Sequence, residues 1–140
     1  CAAPAYLAER GWPTHPSDLA GHDWLGLPPR GGQTELLVLQ GPAGERESVR
    51  LGARVLANQV TALQALAVAG WGLFIAVAED ARQALAAGQL VPVLPGWRLE
   101  PIPVWAVTPR REELPAKVRH ALEALRGHFA AHPGGRPPAD

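Results

Sequence analysis

The chain has 140 residues, 47% of them apolar, and its 13 Lys and Arg balance its 13 Asp and Glu. That length suits one domain with a modest core. The balanced charge leaves no electrostatic footprint for DNA, and no apolar run reaches the roughly 18 residues of a membrane span. The only cysteine, Cys1, rules out an internal disulfide framework, and the lack of any methionine leads us to expect a processed or cut piece of a longer product.

In chain order, Pro4-Ala-Tyr-Leu-Ala-Glu-Arg10 reads as a short helix with proline in its first turn and Gly11 as its stop. Pro13 breaks the chain, Pro16 to Leu19 makes about one helical turn, and Gly21 ends it. His22 to Leu27 is a strand and Pro28 to Gly32 a loop. Thr34 to Gln40 and Ser48 to Leu56 form an antiparallel hairpin across the turn residues Gly41-Pro-Ala-Gly44.

Val49, Leu51, Ala53 and Val55 alternate with Ser48, Arg50, Gly52 and Arg54, the period of a half-buried strand. Asn58 stands where a helix N-cap belongs. Leu63, Leu66, Ala67 and Gly70 follow at helical spacing, and Gly70 closes the helix. Leu73 to Val77 is an unbroken apolar run, as expected of a strand covered on both faces. Glu79 to Ala87 is a helix with acidic residues in its first turn and Gly88 just past it. Val91 to Leu94 and Val104 to Val107 are short strands, with a turn at Pro95 to Arg98 between them. Pro115 opens a final helix whose apolar face is Val118, Leu122, Leu125 and Phe129; residues 133–140 are expected to be disordered. Alternating strands and helices argue for an α/β fold with one hairpin excursion. A strand leading by a short turn into a helix N-terminus puts that terminus at the carboxyl edge of a sheet, where open α/β folds bind ligands.

Chemistry-bearing clusters are sparse. His22 and Asp23 are strand neighbours and point to opposite faces, so they make a poor dyad. His128 and His132 have the spacing of a metal pair but lack a third ligand. Arg110-Arg111-Glu112-Glu113 reads as a polar loop. Ser17 and Ser48 lack a Gly-x-Ser-x-Gly setting. Gly70-Trp-Gly72 ends a helix instead of starting one and lacks the third glycine of a phosphate loop. Trp71, between two glycines, is expected at the surface or at a subunit contact. Nothing here makes a positive case for an enzyme or for a cofactor.

Six motifs in register carry a family resemblance. They are Pro4-Ala-Tyr-Leu-Ala with Gly11-x-Pro13; Asp18-Leu-Ala-Gly-His22; Gly70-x-Gly72 with its apolar run; Ala87-Gly-Gln-Leu-Val-Pro-Val-Leu94; Pro103-Val-Trp-Ala-Val-Thr-Pro109; and Leu114-Pro-Ala-Lys-Val-Arg119. Over about residues 1 to 130 they resemble the effector-binding domain of LysR-type transcriptional regulators. The resemblance implies a bacterial, cytoplasmic ligand-sensing domain with the fold of type 2 periplasmic binding proteins, two Rossmann-like mixed-sheet lobes flanking a cleft. It implies that residues 1–109 are the second lobe and that residues 110–132 are a helix packing on a first lobe absent here. It further implies a small-molecule effector such as an organic acid, assembly into dimers or tetramers, no membrane association, and DNA binding only through an absent winged helix-turn-helix.

The effector half-site expected from these readings is Asn58, Gln59, Val60, Phe74 and Leu27, although the place of Phe74 inside an apolar run favours a core role over a pocket wall. Three positions depart from the family. Asn58-Gln59 stands where Asn-Asp is common, which removes a carboxylate from the mouth of the cleft. Phe74 replaces a small residue, and Val77 replaces a proline. The alternative reading is a lobe of a solute-binding transport protein, anchored as a lipoprotein through Cys1. Against the anchor, a lipid-bearing cysteine is usually followed by a flexible polar tether, and Pro4 to Arg10 reads as helix.

Overall fold

Pro4 begins helix α1 (Pro4–Arg10), where its missing N–H costs nothing and its fixed φ is already helical. Gly11, at φ +91°, ends the helix and donates its N–H to the Leu7 carbonyl at 2.9 Å. A 3-10 turn follows at Pro16–Gly21. It is capped by the Asp18 carboxylate, which accepts the backbone N–H groups of His15 and Thr14, both at 2.9 Å. Those bonds hold the Asp18 carboxyl below its ordinary pKa. The computed structural model describes residues 1–28, 35–100, 105–108 and 114–131, in two units, Cys1–Glu100 and Pro101–Asp140.

The first unit holds two sheets. Strands β1 (Trp24–Gly26), β4 (Ala53–Leu56) and β5 (Leu73–Phe74) are parallel in the order β4-β1-β5. The start of the chain extends this sheet. Cys1 and Phe74 exchange backbone hydrogen bonds, Phe74 N–H to Cys1 O and Cys1 N to Phe74 O, both at 2.9 Å. Ala2 pairs in turn with Val91. Strands β2 (Glu35–Gln40), β3 (Arg46–Leu51) and β6 (Arg98–Leu99) form the second, antiparallel sheet in the order β3-β2-β6.

Period-two alternation sorts the core into two clusters. Trp24 and Leu73 lie in one with Leu7 and Leu19, and with Leu37, Leu39, Val49 and Leu51 of the second sheet. Leu25 and Phe74 lie in the other, under helices α2 (Val60–Val68) and α3 (Ala78–Ala86), with Leu63, Ala67, Ala84 and Leu90. Gly70 (φ +82°) and Gly88 (φ +67°) follow the ends of α2 and α3 in the left-handed conformation. In the second unit, helix α4 (Ala116–Ala131) starts after Pro115, whose carbonyl accepts from Val118 and Arg119. Among the described residues no helix is long and apolar enough to cross a membrane.

Five readings of the sequence need correction. The strand expected at Ser48–Leu56 is two strands, because the chain leaves the antiparallel sheet at Gly52 and enters the parallel one at Ala53. Val49 and Leu51 are therefore buried while Ala53 is exposed, although all four odd-numbered residues match one alternating pattern. The run Leu73–Val77 is strand only at Leu73–Phe74, and Ile75 and Val77 are exposed. Val91 makes a single bridge instead of opening a strand, since Leu94 turns the chain at φ +52° and accepts the Trp97 N–H at 2.8 Å. The turn expected through Arg98 ends earlier, and Arg98 already pairs with Gln40. Trp105, Ala106 and Val107 are not in a strand. Thr34, the loop from Pro29, Val104, Arg110 to Glu113, His132 and the tail lie outside the described residues.

Candidate ligand site at the carboxyl edge of the parallel sheet

Because β1, β4 and β5 run parallel, their carboxyl ends meet at one edge. Gly26 pairs with Leu56 and Leu25 with Phe74, so the three ends are level. Just past them four large aliphatic residues stay in solvent: Leu27 (47% exposed), Leu56 (51%), Ile75 (38%) and Val77 (57%). A grouping of apolar side chains at such an edge marks an interaction surface better than scattered exposed residues do.

Two helices begin at this edge. After β4, the Ala57 N–H bonds to the Gly26 carbonyl at 3.1 Å. Asn58 is exposed and Gln59 (φ −124°, ψ 124°) is the N-cap of α2, one residue later than the sequence reading placed it. The Gln59 carbonyl accepts the Leu63 N–H at 3.3 Å, but no side chain caps the helix and its first turn has no acidic residue. Helix α3 starts from Val77, also without a side-chain cap, but Glu79 and Asp80 in its first turn oppose its positive end. Of the two positive helix ends at this edge, only that of α2 lacks a carboxylate of its own.

The structure thus brings Leu27, Asn58, Gln59 and Val60 to one edge, with Val60 half-buried against the core beneath α2. Phe74 is 2% exposed and lies in that core among Leu25, Leu63 and Ala67, behind the edge. Leu56, Ile75 and Val77 join the edge although none of them is among the site residues expected from the sequence, where Val77 stands out only for replacing a proline. The available signal was length: the apolar run 73–77 is longer than its two-residue strand.

Other chemistry lies elsewhere. Asp23 and His22 form no dyad: the Asp23 carboxylate is bridged by Arg10 (3.2 Å) and Arg54 (3.1 Å), and His22 Nδ1 faces the Tyr6 hydroxyl at 3.2 Å. Among the described residues no three His, Cys, Asp or Glu converge as metal ligands. A surface trough lined by Glu79, Asp80, Arg82, Gln83 and Ala86 draws all its walls from α3, so no second element closes it. Trp71 is exposed, as its place between two glycines led us to expect.

With this geometry in view, comparison with known proteins is decisive. The family described as LysR substrate binding domain matches residues 1–130. The chain belongs to this family. It is 33% identical over 132 residues to the HTH-type transcriptional regulator PtxR of Pseudomonas aeruginosa, covering 94% of this chain and 42% of that protein. It is 34% identical over 133 residues to the uncharacterized HTH-type transcriptional regulator YhjC of Escherichia coli, covering 91% and 42%. Among solved structures, the regulatory domain of AphB from Vibrio vulnificus superposes with a TM-score of 0.70 at 25% identity, over 91% of this chain and 62% of that one. The CrgA regulatory domain from Neisseria meningitidis gives 0.56 at 28% identity, over 66% and 45%.

The fold is therefore the type 2 periplasmic-binding-protein-like fold of LysR regulatory domains, and the chain is part of such an effector-binding domain. It spans about two fifths of the curated relatives it matches. Those relatives are named as transcriptional regulators, which removes the support for a transport lobe.

Proposed function

We propose that this chain senses a small organic acid for a bacterial LysR-type regulator, and that it does so as one wall of a two-walled cleft. Residues 1–109 are the second lobe in this reading. Residues 110–132 supply a helix that packs on the first lobe. The effector bridges the lobes and shifts their relative orientation, by no more than its differential affinity for the two arrangements. Lobe motion reaches DNA through the regulator's winged helix-turn-helix and its dimer or tetramer contacts, in the bacterial cytoplasm, with no catalytic step and no cofactor.

One observation carries the proposal: the positive end of α2 has neither a side-chain cap nor an acidic residue, and it opens beside four exposed aliphatic side chains. The N–H groups at Val60 and beyond suit a carboxylate, and Leu27, Leu56 and Ile75 suit the apolar body attached to it. Asn58 and Gln59 supply neutral hydrogen-bonding side chains at the mouth, and Phe74 sets the edge from behind.

The test is Gln59→Asp, which restores the carboxylate common in the family and gives α2 a strong cap. A cap of this kind stabilises by about 1 kcal/mol, and it occupies the N–H groups the effector uses. The variant is expected to melt higher while binding benzoate, as a probe acid, more weakly. Equal or tighter benzoate binding by the better-capped variant overturns the assignment. The chain alone should bind weakly, since the opposing wall is absent, and micromolar affinity for a small acid contradicts the two-wall reading.

A further inference from the structure

We propose that Tyr6 and His22 form a proton-sensitive joint that docks α1 onto the amino edge of the parallel sheet, engaged while His22 is neutral and loosened when it is protonated. The joint lies at the opposite ends of the strands from the ligand edge and does not depend on the function proposed above.

The buried Tyr6 hydroxyl accepts the Asp23 N–H at 2.9 Å. A phenol has one proton to give, and His22 Nδ1 lies 3.2 Å away to receive it. The hydrogen-bond network therefore assigns His22 as the neutral ring protonated on Nε2. Adding a proton to Nδ1 turns this acceptor into a donor. Two donors then face the Tyr6 oxygen, and its own proton loses its partner beside a buried ring.

Charges around His22 do not reward that proton. Arg10 faces it from α1, Asp18 from the 3-10 turn, and Asp23 is its chain neighbour. Asp23 is the counter-charge at the start of β1, but its carboxylate already bridges Arg10 and Arg54 of β4. Burial and then repulsion by Arg10 push the His22 pKa below its ordinary value, against the smaller pull of the two carboxylates. A folded-state pKa below the unfolded one stabilises above the ordinary histidine range, and the benefit is lost as pH falls through that range toward the folded pKa.

The bond at stake adjoins the first rung of the sheet. The Asp23 carbonyl accepts the Leu73 N–H at 2.8 Å, so the residue that receives α1 through its N–H also ties β1 to β5 through its carbonyl. Mild acid should therefore loosen α1 before it unfolds the core.

The test is an NMR titration of His22 in the 140-residue chain, with amide-exchange protection factors for α1 and Asp23 measured at each pH. His22→Asn keeps an acceptor for the Tyr6 proton, through the amide oxygen, but cannot be protonated; Tyr6→Phe removes the partner. In the wild type, His22 should titrate below the ordinary histidine range. Protection of α1 and Asp23 should drop by about tenfold through that titration, the equivalent of one hydrogen bond. In His22→Asn the protection should not change over the same pH range, and in Tyr6→Phe the His22 pKa should rise toward its ordinary value. The same acid-dependent loss in His22→Asn overturns the proposal. So does an unchanged His22 pKa in Tyr6→Phe, which remains measurable if the Asn variant does not fold.

Discussion

Replacing Gly72 by alanine tests how tightly the parallel sheet is closed. A Cβ built on Gly72 lies 2.3 Å from the Asp23 carbonyl oxygen and 3.0 Å from its carbon. Ordinary contact requires a retreat of about 1 Å. That movement breaks the hydrogen bond from Leu73 N–H to the same carbonyl, now 2.8 Å, at a residue with no exposure to water. An orphaned buried pair costs about 1–3 kcal/mol, and a side chain at φ +155° adds about 1–3 kcal/mol of backbone strain. The sum, about 2–6 kcal/mol, is a large share of the stability of a domain this size. Gly70 is the control. At φ +82° it too favours glycine, but nothing lies within 4 Å of a Cβ there, so Gly70→Ala should cost only about 1–2 kcal/mol of strain. Urea unfolding of both variants, with midpoints compared at constant m, reads the difference. Equal destabilisation of the two variants would refute the claim that close approach to Asp23, and not conformation alone, requires glycine at position 72.

One further outcome follows from the geometry. Val60→Pro should leave α2 helical by circular dichroism, because proline suits the first helical position and Gln59 already has the extended conformation that a following proline requires. The substitution deletes one N–H from the edge and should weaken benzoate binding by about tenfold, the equivalent of one charge-assisted hydrogen bond; unchanged affinity would remove the Val60 N–H from the site.

Legibility of the fold depended on whether local chemistry set local structure. Helix α1 was readable because Pro4 and Gly11 punctuate both ends, and the hairpin because Gly41 to Gly44 supplies turn residues between the apolar run Leu36 to Leu39 and an alternating segment. The switch of sheets at Gly52 was not, because Val49 to Val55 keeps one alternating pattern through a junction that only tertiary pairing defines. Strand β6 was hidden for the same reason: its two residues gain strand geometry by lying beside Leu39 and Gln40. At the candidate site, the helix start was legible to within one residue, since Asn58 and Gln59 are both plausible caps and backbone geometry chooses between them. Which apolar residues reach solvent was not legible. Phe74 and Ile75 are adjacent in one apolar run, yet one fills the core and the other lies past the strand end.

The central claim, that the carboxyl edge of β4-β1-β5 is an effector wall, is tested most directly by chemical-shift mapping of this chain with benzoate at millimolar concentration, using glycerate as a polar acid of the same charge. The account expects benzoate to shift the Val60 and Thr61 amides together with the methyl groups of Leu27, Leu56 and Ile75. Glycerate should shift the amides but leave the methyl groups unmoved. Benzoate shifts that map to the α3 trough, or none at this edge, would contradict it.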